Sequence, residues 1–255
     1  MFTNRIDDHV PIDVSVQKGG PTSASNPVGR GLEVPVDADP TTLIGKLGSF
    51  WALPWLEKMQ RIAEFYWLLK TQFYYRLFWG HIGKRSKLIQ PMRLRNVHNI
   101  CIGDNVLINK HSFLYTWRPD HSENPRLVIG DGCVIGHMNH IACIREVRIG
   151  KNVLTADRVY ISDHSHGFAD TGIPIMKQPT VSKGKVTIGD GTWIGENVVV
   201  LSCNIGKNCV VGANAVLLND IPDYSVAVGA PARVIRRWNS VSRNWEKIGA
   251  NDEGQ

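Results

Sequence analysis

The run Ile188-Gly189-Asp190-Gly191-Thr192-Trp193-Ile194-Gly195-Glu196-Asn197-Val198-Val199-Val200-Leu201 decides the fold, because an aliphatic residue recurs at every sixth position with Gly after the first two. The same register extends in both directions from it. Upstream stand Ile102-Gly103 and Ile108-Asn109, then Ile129-Gly130, Ile135-Gly136 and Ile141-Ala142, then Ile149-Gly150, Thr155-Ala156 and Ile161-Ser162. Downstream stand Ile205-Gly206, Val211-Gly212 and Leu217. A period of six is neither the 3.6 of a helix nor the long alternation of an ordinary sheet, but it suits short strands joined by tight turns, three hexads to a triangular coil. Each aliphatic points inward and stacks on the next coil. IGDN, IGKN and IGDG supply Gly, Asn and Asp, the residues that tolerate the left-handed backbone such corners need. The pattern predicts an all-β solenoid.

Two stretches break the register, Tyr115 to Arg126 and His164 to Lys185. Both are too polar and too rich in Pro and Gly for coil faces, so they are expected to be loops, where sites on rigid scaffolds are usually built.

The rest of the 255 residues divides by character. Residues 1–40 lack periodicity and read as a flexible segment. Residues 41–95 form an aromatic and basic segment in which Ile62, Phe65, Tyr66, Leu69 and Phe73 recur at helical spacing, with Pro54 near a start. Eleven of the chain's aromatic residues fall between Phe50 and Trp79, beside Arg76, Lys84, Arg85, Lys87, Arg93 and Arg95. Such a segment suits either a cap on the open end of the solenoid or a helix lying in a membrane interface. The solenoid is expected over 96–234, followed by a short helical tail over 235–255. The net charge of +6 favours polyanionic ligands or anionic lipid without implying nucleic acid. No uncharged span of membrane-crossing length and no secretory signal is present, so a cytoplasmic protein is expected, peripheral on the cytoplasmic face of the inner membrane if the helices bind lipid. Five cysteines without CxxC spacing point to a reducing compartment and no zinc knuckle.

The hexads, the loop SDHSHGFADTGIPIMKQP, the runs IGDGTWIGENVVVL and IGKNCVVGANAVLLNDIP, and the closing SVAVGAPARVIRR resemble the left-handed parallel β-helix acyltransferases, in particular the galactoside/maltose, xenobiotic and polysaccharide O-acetyltransferase branch. The resemblance covers about Ile100 to Arg237. It implies a homotrimer with sites between neighbouring β-helices, acetyl-CoA as co-substrate, no required metal, and a sugar or glycan acceptor. On that resemblance His164 is the catalytic base, with His166 as second choice. Trp193, Gly195, Ser202, Gly212 and Ala213 line the coenzyme arm, and Arg233 and Arg236, with Arg237 nearby, meet its phosphates. Acyl transfer to a hydroxyl needs a base and an oxyanion donor, and His suits the first task near neutral pH. Asp163 is given no role in orienting the imidazole, since adjacent residues of an extended chain point apart. Leu201-Ser202-Cys203-Asn204-Ile205 lacks the family's Gly, which puts the oxyanion donor at that turn in question. Two other readings are a gamma-type carbonic anhydrase with zinc on His137 and His140, and a non-catalytic β-helix scaffold.

Overall fold

The computed structural model describes residues 54–117 and 126–248. The expected flexible segment 1–40, the stretch 41–53 with Phe50, most of the loop expected at Tyr115–Arg126, and the last seven residues lie outside the described residues.

The solenoid is a left-handed parallel β-helix of three sheets. The first sheet stacks β1 (His81–Ile82), β4 (Ile100–Ile102), β7 (Arg126–Ile129), β10 (Glu146–Ile149) and β15 (Val186–Ile188). The second stacks β2 (Lys87–Leu88), β5 (Leu107–Ile108), β8 (Val134–Ile135), β11 (Leu154–Thr155), β16 (Trp193–Ile194), β18 (Val210–Val211) and β20 (Ser225–Gly229). The third stacks β3 (Arg93–Arg95), β6 (Phe113–Thr116), β9 (His140–Cys143), β12 (Tyr160–Ser162), β17 (Val199–Leu201) and β19 (Val216–Leu217). Parallel register places like on like: Ile82, Ile102, Ile129, Ile149 and Ile188 form one inward column, continued through bridges at Ile205 and Ile221. These side chains are almost wholly buried, each contributing about 1.5–3 kcal/mol over an exposed one.

The corners bear out the reading of the turn residues. At the bend between the first two sheets, Asn105, Gly132, Asn152, Gly191 and Asn208 all have positive φ. The Asp of the motif has its own task there: Asp131 Oδ1 accepts the amide of Asp104 and Asp190 Oδ1 that of Lys151, coil to coil. Buried cysteines fill the same interior; Cys133, Cys143, Cys203 and Cys209 are all enclosed.

Three boundaries differ from expectation. The coils start at His81 rather than 96, because Ile82-Gly83 and Leu88 already keep the hexad and pair with Ile102 and Ile108. Tyr115 and Thr116 remain in β6, so that excursion begins later than Tyr115. The expected helical tail is instead a β-hairpin: β21 (Ala232–Asn239) runs antiparallel to β20, and β22 (Asn244–Lys247) antiparallel to β21. The open edge of the last coil supplies unpaired backbone groups that a strand satisfies and a helix would not. Trp238 faces Trp245 across the hairpin, with ring centroids 5.7 Å apart.

At the other end, helix α1 (Trp55–Leu69) begins after Pro54, whose carbonyl accepts the Lys58 amide. It runs into a π-helical turn, Lys70–Tyr74. That turn caps the first coil: Thr71 Oγ1 accepts the Leu88 amide, and Gln72 Nε2 donates to the carbonyls of Gly83 and Ser86. Trp79 joins the core. The helix before the turn buries none of its residues.

Candidate active site

β12 ends at Ser162, the chain bends at Asp163, and β13 (His164–His166) begins the second excursion, pairing antiparallel with β14 (Thr180–Ser182). The bend brings together what strand alternation would separate. His164 Nδ1 lies 2.8 Å from Asp163 Oδ1 and 3.1 Å from Ser162 Oγ. The Asp163 carboxylate is fully buried, yet satisfied: it accepts the amides of Ile144 at 3.0 Å and Arg145 at 2.7 Å. Adjacency in sequence therefore does not bar Asp163 from orienting the imidazole, because the two residues straddle a bend rather than share a strand. An ionised carboxylate in this position can only accept, and such a pairing selects the imidazole tautomer with its proton on Nδ1 and its lone pair on Nε2. His166 is exposed, and its ring has no hydrogen-bond partner among the described residues. Of the two histidines, His164 alone has the geometry of an oriented base.

Trp193, Gly195, Gly212, Ala213, Arg233 and Arg236 lie on the second sheet or at the corner after it, whereas Ser202 follows β17 of the third sheet and does not share the ledge expected for it. Register aligns Trp193, Val210, Val226 and Arg236 in one outward column, and Val228 with Arg233 in the next. Trp193 is half exposed and Arg233 exposed. Ala213 is exposed at the following corner. Gly195 has a simpler explanation than room for a ligand: a Cβ there would lie 2.7 Å from the Ala213 amide nitrogen, so coil stacking itself demands glycine. Gly212 is similar, its Cβ position facing Val228 Cγ1 at 2.8 Å. Ser202 adopts φ +51 and its amide donates to the Ser162 carbonyl, so that N–H is already engaged and is not an oxyanion donor. Thus one chain keeps two separate groups, the ledge of Trp193, Arg233 and Arg236 on the second sheet and His164 leaving the third.

His137 and His140 do not converge on a common ligand. The His137 ring pairs with Asp157 at 3.2 Å, while His140 packs among Phe113, Tyr115 and Tyr160. Among the described residues no three His, Cys, Asp or Glu side chains are grouped to hold a metal. The four buried thiols are poor nucleophiles: burial pushes Cys203 and Cys133 up to about 11 and raises Cys209, and burial with the nearby Asp163 raises Cys143.

No family model matches the chain. Over 201 residues it is 32% identical to the putative lipopolysaccharide biosynthesis O-acetyl transferase WbbJ of Escherichia coli (strain K12), a match covering 75% of this chain and 97% of that protein. With the probable acetyltransferase Rv3034c of Mycobacterium tuberculosis (strain ATCC 25618 / H37Rv) it shares 46% identity over 111 residues, 43% of this chain but only 37% of that one. The fold matches that of AntD, an N-acyltransferase from Bacillus cereus in complex with dTDP and 3-hydroxybutyryl-CoA, at a TM-score of 0.55 and 19% identity, over 65% of this chain and 86% of that chain.

Proposed function

The chain belongs to the hexapeptide-repeat O-acetyltransferase family of acyl-CoA-dependent acyltransferases, and from that premise we propose that it transfers an acetyl group from acetyl-CoA to a hydroxyl of a sugar or glycan, with His164 as general base. The observation that carries the reading is the His164–Asp163 pair, 2.8 Å apart with the carboxylate buried. In the reaction His164 Nε2 takes the hydroxyl proton as the oxygen attacks the thioester carbonyl. The new C–O bond forms, the C–S bond breaks, and the proton leaves on the coenzyme A thiol. Asp163 fixes the tautomer and steadies the transient imidazolium, a contribution made chiefly in the transition state. Buried, raised thiols favour direct transfer over an acyl-enzyme.

Trp193, Arg233 and Arg236 would hold the coenzyme, the guanidiniums meeting its phosphates. Because that ledge and His164 occupy different faces of one chain, a complete site needs a neighbouring copy, and a homotrimer supplies it. The exposed apolar residues Phe168, Ile175 and Met176 on the His164 excursion suit such a contact. The test is direct: full-length protein is incubated with acetyl-CoA and a panel of free sugars, sugar nucleotides and lipid-linked glycans while free thiol is followed. Acceptor-dependent release supports the reading, and its absence across the panel refutes it.

We propose further that the protein sits peripherally on the cytoplasmic face of the inner membrane; the composition of helix α1 supports contact with an anionic surface. Trp55, Leu56, Ile62, Phe65, Tyr66 and Leu69 are all at least 40% exposed, as are Phe73, Leu77 and Phe78 beyond it. Lys58, Arg61, Lys70, Arg76, Lys84, Arg85 and Lys87 accompany them against only Glu57 and Glu64. Aromatics at headgroup level with flanking cations match the chemistry of an anionic leaflet.

A further inference from the structure

The outer face of the third sheet lies directly beside His164 and is not composed like the other coil surfaces. Register sets its outward residues in two columns. Arg93, Phe113, His140 and Tyr160 follow one another coil by coil, and Arg95, Tyr115, Ala142 and Ser162 run alongside. The rings touch: His140 stacks on Phe113 at 5.2 Å between centroids, lies 5.6 Å from Tyr115, and meets Tyr160 edge-on at 5.0 Å. Ala142 and Ser162 are fully buried, and Ser162 Oγ sits 3.1 Å from His164 Nδ1. Burial, and after it the neighbouring His164 and Arg93, hold His140 below its usual range. Its Nε2 is enclosed with no hydrogen-bond partner among the described residues. No Asp or Glu occupies either column, and Arg93 and Arg95 are exposed without an acidic partner among the described residues. Each of these two exposed guanidiniums offers a forked set of donors suited to phosphate.

We propose that this face is the acceptor subsite, in which Phe113, Tyr115 and Tyr160 hold the apolar face of a sugar ring beside His164 and Arg93 and Arg95 bind a phosphate carried by that sugar. The assignment rests on the acyl-transfer reading and narrows it to phosphorylated sugar acceptors. Rings offer flat apolar area at little entropic cost, while the paired arginines supply orientation. A sugar nucleotide and a lipid-linked sugar diphosphate present the same group to these residues.

Binding to the full-length chain, measured by calorimetry, separates this assignment from catalysis. The probes are free hexose, hexose 1-phosphate, inorganic phosphate, a nucleoside diphosphate hexose and a short-chain prenyl diphosphate hexose. Hexose 1-phosphate should bind at least tenfold more tightly than hexose or inorganic phosphate alone. The double variant Arg93→Gln/Arg95→Gln should lose about 10- to 100-fold of that affinity, the scale of charge-assisted hydrogen bonds, with acetyl-CoA affinity unchanged. The nucleoside and prenyl arms then report which carrier adds affinity. No preference for the phosphorylated sugar, equal binding of inorganic phosphate, or a preference surviving in the double variant would overturn the assignment. Failure of the acyl-transfer reading would show separately, as absence of thiol release in a protein that still binds these probes.

Discussion

Asp163 accepts the backbone amides of Ile144 and Arg145 from the preceding coil and, through the same carboxylate, holds His164 Nδ1 at 2.8 Å. One fully buried carboxyl group thereby ties the His164 loop to the rigid scaffold, so loop position and imidazole orientation share a single determinant.

Asp163→Asn keeps the size of the side chain but removes the charge and some acceptor capacity. Turnover should fall by about one to three orders of magnitude, since a mis-set tautomer disables the base, while the KM for acetyl-CoA stays within about twofold. Asp163→Ala should in addition lower stability by about 1–3 kcal/mol, because the buried Ile144 amide and the part-buried Arg145 amide lose their acceptor. Urea unfolding and steady-state kinetics together check both; unchanged turnover in Asp163→Asn would show that Asp163 is structural only.

Arg233→Ala should raise the KM for acetyl-CoA about tenfold or more with little change in kcat. A phosphate contact made equally in ground and transition states is uniform binding. An unaltered coenzyme affinity removes Arg233 from the ledge.

The thiols should be inert. With Cys133 and Cys203 pushed up to about 11 by burial, the reactive thiolate is scarce at neutral pH and grows only as pH approaches that value. Iodoacetamide at pH 7.5 should leave turnover intact, with modification, followed by mass spectrometry, at most at the half-buried Cys101. Inactivation in step with alkylation of Cys203 would argue for an acyl-enzyme.

If α1 binds membrane as proposed, cosedimentation with anionic vesicles should pull down full-length protein at low salt and less at high salt, since the basic residues contribute on the order of 1 kcal/mol each and are screened. Protein left in the supernatant at both salt levels would assign α1 a different partner.

The coils were legible because one inward aliphatic per hexad is dictated by stacking, and Asn and Gly at corners by positive φ. The first coil is less legible although Ile82-Gly83 and Leu88 carry the same signal, because it follows directly on an aromatic stretch with helical spacing and shares its basic character. The hairpin at the end was hidden for a different reason: Ala232–Asn239 becomes strand by pairing with the exposed edge of β20, a tertiary cause that local pattern does not encode. In the candidate site, the loop motif singles out His164, but the motif does not carry its link to Asp163, since strand alternation fails at a bend. The aromatic face with Arg93 and Arg95 needed register: its residues come from four separate coils.

The central claim is that His164 removes the acceptor proton. Turnover of His164→Ala with acetyl-CoA and the best acceptor of the panel measures it most directly, alongside His166→Ala and a check of oligomeric state. The account predicts a fall of about two to four orders of magnitude for His164→Ala, with assembly and acetyl-CoA affinity intact and His166→Ala near normal. Near-normal turnover in His164→Ala, with the loss appearing in His166→Ala instead, would contradict it.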